Sequence, residues 1–364
     1  MTQADIIVIG GGMAGISAAA RLSEHARVIA LEAETQLGYH STGRSAAIFI
    51  LNYGNATLRA LNARSVGFLE APEGVSETSL LSPRGELLMA TEANMSDAED
   101  YAAGAEGLEW LTPAEAHELV PILRDDIFVA GLYEADAQGI DVDRMLQGFA
   151  RFLRDRGGQI VTKARVNALT RSNGQWVVTT ESGSYSAPLV VNAGGAWAGV
   201  LGQMAGALPI TLTPCRRSAA LLPAPDGFEI DNWPVFGSVA EDWYAKPDAG
   251  KLMVSPADAD PVEPQDAWPD DMVIAEGLHR YESSVTVPVT RVEHTWAGLR
   301  TFAPDKTPVV GFDPQAEGFF WLAGQGGYGI QTAPALADLA CALCLGKGDN
   351  DAALLEALSP RRFA

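Results

Sequence analysis

Four consecutive β-branched residues, Ile6-Ile7-Val8-Ile9, form the first hydrophobic run of the chain. A run this short and this uniformly apolar predicts a strand buried on both faces of a parallel sheet. Gly10-Gly11-Gly12-Met13-Ala14-Gly15 follows without a spacer, Ile16–Ser23 continues as a helix, and a second apolar run, Arg27-Val28-Ile29-Ala30-Leu31, ends at Glu32. Strand, glycine turn, helix and strand in this order predict a dinucleotide-binding unit. Gly10 makes the tight turn, Gly12 lets a phosphate approach the backbone, and Gly15 lets the helix pack on the strand. The helix N-terminus then offers its N–H groups and positive dipole end to a pyrophosphate. Glu32 stands where a carboxylate accepts hydrogen bonds from the adenosine ribose hydroxyls and repels a 2′-phosphate, which argues against NADP.

Further along, Glu86-Leu87-Leu88-Met89-Ala90 reads as a strand, and Thr112-Pro113-Ala114-Glu115 has the form of a capped helix start. Asp143 is placed to cap a helix over Arg144–Asp155, whose Met145, Leu146, Phe149, Phe152 and Leu153 recur at helical spacing. Gln159–Val191 predicts several strands with turns at Ser172-Asn173-Gly174 and Ser182-Gly183, and its last strand runs into Asn192-Ala193-Gly194-Gly195-Ala196-Trp197. From Leu212 to Leu299 the pattern is mostly β, broken by a Pro- and Asp-rich loop over Ser255–Asp271. A final strand, Gly318–Ala323, leads to a second glycine turn, Gly324–Gly329, and then a helix.

Nucleotide-type segments at the start, middle and end predict two interleaved domains in an α/β chain. The expected division assigns residues 1–80, 146–205 and 301–364 to a Rossmann-type domain, and residues 81–145 and 206–300 to an antiparallel-sheet substrate domain. A length of 364 residues suits two domains.

Composition narrows the partners. Hydrophobic residues make up 47% and charged residues 20%, with 46 acidic against 25 basic, for a net charge of -21. That field repels nucleic acid and anionic membrane surfaces. No apolar run approaches the roughly 20 residues of a membrane span. Ile6–Ala20 lacks the basic flank of a secretory signal, so a cytoplasmic protein is expected. The three cysteines give no disulfide framework, and the Cys341/Cys344 pair has no second pair or nearby histidine to complete a metal site, so core packing is expected.

NAD and FAD share the N-terminal unit, and two other segments favour FAD. Gly38–Ala47 is a donor-rich stretch able to run along an extended diphosphate and flavin, where an NAD domain continues with a helix and strand. The Gly324–Gly329 turn offers a second helix N-terminus able to stabilise a reduced flavin.

Gly10–Gly15 and Ser41–Ala47, with Val191–Trp197 and His294-Thr295-Trp296-Ala297-Gly298-Leu299-Arg300, resemble the D-amino-acid oxidase superfamily of flavoproteins over nearly the whole chain. Gly38–Ala47, Leu81-Ser82-Pro83-Arg84, Gly324–Thr332 and Leu358-Ser359-Pro360-Arg361-Arg362 are most similar to bacterial FAD-dependent D-arginine dehydrogenases. The resemblance implies a glutathione-reductase-like FAD domain and hydride removal from substrate Cα to flavin N5. The resulting imino acid hydrolyses to a 2-oxo acid and ammonia. It implies cofactor contacts at Gly10, Gly12, Met13, Ala14, Gly15, Glu32, Ala33, Ser41, Thr42, Arg44, Ser45, Ala46, Ala47, Val166, Ala193, Gly194, Trp197, Arg300, Gly326, Gly327, Tyr328, Gly329, Ile330 and Gln331.

By the same resemblance Arg217 and Arg300 bind the substrate carboxylate, a task suited to the guanidinium fork. Arg216 can exchange roles with Arg217, since neighbouring strand residues point to opposite faces. Tyr53 and Tyr244 match pocket tyrosines that donate to the carboxylate. Glu86 matches the carboxylate that receives the cationic end of D-Arg or D-Lys, although pairing to Arg84 stays open. Ile48 departs from the pattern, which has a histidine there, and makes the pocket wall more apolar.

The expected activity is therefore oxidative deamination of D-amino acids with cationic side chains, by a dehydrogenase with oxidase activity left open. An electron acceptor of unknown identity and a monomer or weak homo-oligomer are expected. Two alternatives stand beside it: a secondary-amine oxidase of the sarcosine or glycine type, and an FAD-binding subunit whose partner holds the chemistry.

Overall fold

The computed structural model describes residues 2–364. Its nucleotide-binding sheet has six strands, in the spatial order Gln159–Val161, Val28–Leu31, Ile6–Ile9, Leu189–Asn192, Phe319–Ala323 and Val309–Phe312. The first five run parallel and the last antiparallel. Alternation along the strands feeds two apolar layers. Ile6, Val8, Val28 and Ala30 face the helices Met13–Leu22, Val142–Asp155 and Ala333–Cys344. Ile7, Ile9, Ile29 and Leu31 face a four-stranded sheet that includes Val166–Ser172 and Gln175–Thr180. Those two strands join at Asn173 and Gly174, both at positive φ, the pair a tight hairpin turn requires.

The second sheet has eight strands, in the order His294–Phe302, Thr213–Pro223, Lys251–Ser255, Tyr244–Asp248, Val235–Ser238, Glu86–Ala90, Ala130–Glu134 and Leu108–Leu111. It is not wholly antiparallel, because Val235–Ser238 pairs parallel with Glu86–Ala90. These two strands come from separate stretches of chain, so no hairpin imposes a direction where they meet. The fold is thus a mixed α/β arrangement built on these two large sheets together with smaller four- and three-stranded ones.

Three local expectations change. The helix at 142–155 is capped by Asp141, whose carboxylate accepts from the Arg144 N–H at 3.0 Å, and not by Asp143, which lies inside its first turn. The 212–299 region contains a helix, Asp271–Ser284, capped by Asp270. Its buried Ile274, Gly277, Tyr281 and Ser284 keep helical spacing, but the short apolar content hid it among strands. The helix after the second glycine turn starts only at Ala333, so residues 330–332 stand between them. Cys341 and Cys344 pack against the helical layer of the nucleotide domain. Among the described residues no helix is long and apolar enough to cross a membrane.

Candidate active site

A cavity of about 640 Å³ runs from the N-terminal glycine turn to the eight-stranded sheet. At its first end lie Gly10, Gly12, Met13, Ala14, Glu32 and Ala33. The Glu32 carboxylate is held by the turn itself: Gly11 N–H donates to Oε2 and Glu34 N–H to Oε1, both at 2.7 Å. Thr42 Oγ1 accepts from Met13 N–H at 3.0 Å, which ties the Ser41–Ala47 stretch to the start of the helix.

The middle of the cavity is lined by Ser41, Thr42, Arg44, Ser45, Ala46, Ala47, Val166, Ala193, Gly194 and Trp197. Ser41 Oγ donates to Leu299 O at 2.6 Å. Arg44 reaches the cavity, but its guanidinium is engaged by Ala267 O, Ala297 O and the Asp266 carboxylate. The hydrogen bonds of its guanidinium thus go to protein groups. Gly326, Gly327, Gly329, Ile330 and Gln331 close the wall. Gly15 and Tyr328 are the two expected cofactor contacts outside the lining: a side chain on Gly15 would strike Gly10 O, and the Tyr328 ring packs on Tyr53 at 4.7 Å.

The cavity is also lined by Arg217, Arg300, Tyr53, Tyr244, Glu86 and Ile48, and the two arginines lie close enough to Tyr53 and Tyr244 to shift their ionisation. The Thr213–Pro223 and His294–Phe302 strands pair with Arg217 opposite Gly298 and Cys215 opposite Arg300, which brings both guanidiniums to one region. Arg216 points away and pairs with Asp258 and Asp260. The alternation of the strand thus assigns the cavity to Arg217.

The charges here act on one another. Burial pushes the Arg217 pKa down and Arg300 adds to the effect. Burial also opposes the charge of Arg300, but Tyr53, Tyr244 and Glu241 outweigh it, so its pKa rises. Burial alone would raise the Tyr244 pKa, yet Arg300 and Arg217 bring it below its ordinary value. The result is a positive pocket with two tyrosine hydroxyls, suited to a carboxylate.

Glu86 is 8% exposed, and burial with the neighbouring Glu134 pushes its pKa up to about 8. Tyr101 donates to it at 3.2 Å. Arg84 is not its partner, because that guanidinium donates to Asp231 O and Trp233 O. Tyr101, Glu134 and Glu241 were not among the expected residues. Glu134 carried a signal, a carboxylate closing the apolar strand Ala130–Glu134, whereas Tyr101 lies on a polar helix with none.

The donor set fits a flavin dinucleotide. One cavity joins the glycine turn and the Glu32 carboxylate to Arg217, Arg300, Tyr53 and Tyr244. Gly12 has ordinary extended φ and ψ, and a methyl there would meet only Thr42 Oγ1 at 3.2 Å, so the protein leaves its face to a ligand.

Fold and cavity together suit a dinucleotide-binding protein. The chain belongs to the FAD dependent oxidoreductase family (DAO), whose model matches residues 5–343, and its cofactor is FAD. Among its relatives is the mitochondrial dimethylglycine dehydrogenase of Homo sapiens, 26% identical over 90% of this chain. The chain spans only 41% of the length of that dehydrogenase. The glycine oxidase of Geobacillus kaustophilus is 23% identical over 91% of this chain and 90% of its own. The crystal structure of glycine oxidase from Geobacillus kaustophilus superposes with a TM-score of 0.85 at 21% identity, covering 99% of both chains. L-proline dehydrogenase from P. horikoshii gives 0.84 at 22% identity over 100% of this chain and 98% of that one. These likenesses support the two-domain α/β fold.

Proposed function

We propose that the chain oxidises the C–N bond of an amine that carries an α-carboxylate. The observation that carries this reading is the grouping of Arg217 and Arg300 with Tyr53 and Tyr244 in the FAD cavity. The guanidiniums take the carboxylate, and the tyrosine hydroxyls complete its hydrogen bonds. Held there, the substrate amine lies near two positive charges, which favours its neutral form, the form that can be oxidised. Bound FAD supplies the acceptor for the hydride of Cα. The resulting imine or iminium is hydrolysed by water to a carbonyl compound and ammonia, or to a primary or secondary amine when the nitrogen carries one or two substituents. Ile48 lines the cavity with an apolar side chain and offers no group to take the amine proton. The protein contributes alignment and electrostatics.

For the substrate class, the names of the relatives favour glycine-type amines: glycine oxidase, dimethylglycine dehydrogenase and, among similar folds, iminodiacetate oxidase. A second reading, D-amino acids with cationic side chains such as D-Arg and D-Lys, is supported by Glu86, a buried carboxyl that lines the same cavity. Anaerobic mixing of the holoenzyme with sarcosine, glycine, D-Arg, D-Lys, D-Met and L-Arg, with flavin bleaching as readout, tests both. Rapid bleaching by sarcosine or glycine with none by D-Arg establishes the first. Preference for D-Arg and D-Lys that is lost in Glu86→Leu, with D-Met spared, establishes the second. Bleaching by none of the carboxylated amines ends the proposal.

A further inference from the structure

The Thr213–Pro223 strand is paired along one edge with His294–Phe302, but on its other edge Lys251–Ser255 reaches only from Pro223 to Ala220. The stretch below, which contains Arg217, needs another partner for its backbone. The chain that leaves Ser255 supplies it. Arg216 N–H donates to Asp260 O and Val262 N–H to Pro214 O, both at 2.9 Å.

Ala257, just before Asp258, takes a φ of +52°, uncommon for a residue with a side chain. The Asp258 carboxylate accepts from Ser218 N–H at 2.6 Å and Ser218 Oγ at 2.8 Å, and pairs with Arg216. Its carbonyl accepts from Arg217 Nε at 2.7 Å. With Nε engaged by that carbonyl, Arg217 lines the cavity and, among the described residues, no protein atom takes a hydrogen bond from its two terminal nitrogens. Arg300 repels Arg217, and Asp258 opposes that effect.

We propose that Asp258 is the positioning residue of Arg217, holding its guanidinium fork toward the substrate carboxylate through the backbone turn that the Asp258 side chain anchors. The inference rests on the reading of Arg217 as a carboxylate ligand.

The test uses the FAD-loaded enzyme titrated with acetate, a carboxylate probe, and followed by the perturbation of the flavin spectrum. Asp258→Ala weakens acetate by about tenfold with FAD content unchanged, and Arg217→Met weakens it at least as much. In the double variant the losses are not additive, because the tether acts only through Arg217. Ser218→Ala, which removes one anchor of the turn and is the fallback should Asp258→Ala fold poorly, weakens acetate by about threefold. Additive losses, or an Asp258→Ala enzyme with unchanged acetate affinity, overturn the positioning role. Unchanged affinity in Arg217→Met instead removes the carboxylate reading of Arg217, and the inference falls with it.

Discussion

Glu86 and Glu134 are direct cross-strand partners, paired in register across the antiparallel strands Glu86–Ala90 and Ala130–Glu134 and both nearly buried. The two carboxyls are not equivalent. Glu134 accepts from Leu51 N–H at 2.9 Å and Asn52 Nδ2 at 2.7 Å, bonds that favour its charge against the cost of burial. Glu86 has only the Tyr101 hydroxyl and faces Glu134, so burial and that neighbour push its pKa up to about 8. Opposed like charges are unfavourable on a sheet unless one is neutralised.

This arrangement predicts a stability that depends on pH through Glu86. Below its ordinary pKa of 4.5 the group is protonated folded or unfolded and contributes nothing; between there and about 8 the unfolded chain ionises first, so the folded state loses stability as pH rises. The shift sets an upper bound of about 5 kcal/mol, and relaxation reduces the expected loss to about 1–3 kcal/mol. Thermal melting of the wild type and Glu86→Gln at pH 5, 7 and 8.5 checks it. The variant gains relative stability toward pH 8.5, and parallel curves would remove the proton from Glu86.

Arg300 is the more deeply placed of the two guanidiniums, close against Gly327 and beside the Tyr53 and Tyr244 hydroxyls. Arg300→Met should lower kcat/KM for a carboxylated amine by about 100-fold or more, since a charged, buried hydrogen-bonded pair contributes about 3 kcal/mol. The same substitution should change turnover of a decarboxylated amine far less. Steady-state kinetics with one amine of each kind makes the comparison, and equal losses would show that Arg300 serves the fold or the flavin and not the carboxylate.

Much of this organisation was legible in the chain because it rests on local chemistry. Ile6–Ile9, the glycine turn and Glu32 occur within one continuous segment, and the Thr112–Glu115 capping box needs only four residues. What was hidden depends on contacts between distant segments. Nothing near Asp258 announces that its carbonyl will meet Arg217, and nothing near Tyr101 announces Glu86. The engagement of Arg44 by Asp266 joins positions separated by 222 residues. Arg216 and Arg217 show the boundary: alternation said that only one could face the site, and the pairing of Arg216 with Asp258 and Asp260 was needed to choose.

The Arg44–Asp266 contact leads to a prediction about cofactor retention. Asp266 also accepts from Tyr39 Oη at 3.2 Å, so one carboxylate closes the loop over the segment that lines the middle of the FAD cavity. Because Asp266 is partly exposed, the effect of its loss is modest, about 1 kcal/mol, or roughly a fivefold faster release of FAD in Asp266→Ala. Flavin fluorescence on dilution measures that rate. Raising the salt concentration should narrow the difference between wild type and variant, and a salt-independent difference would point to lost packing.

Two glycines of the N-terminal turn are required for different reasons, and substitution separates them. A Cβ on Gly15 would lie 2.0 Å from Gly10 O, a backbone atom that cannot move without opening the turn. A Cβ on Gly12 would meet only the Thr42 hydroxyl at 3.2 Å, and the backbone there needs no positive φ. Gly15→Ala should therefore lower the melting temperature of the apoprotein, by several degrees for a cost of about 2 kcal/mol. Gly12→Ala should leave the apoprotein melting within about two degrees of wild type, while FAD affinity drops by tenfold or more, because the methyl occupies the approach of the pyrophosphate to the helix N-terminus. Melting of the stripped proteins and FAD titration of each read the two effects independently. An unchanged FAD affinity in Gly12→Ala would mean that the pyrophosphate does not approach that face of the turn.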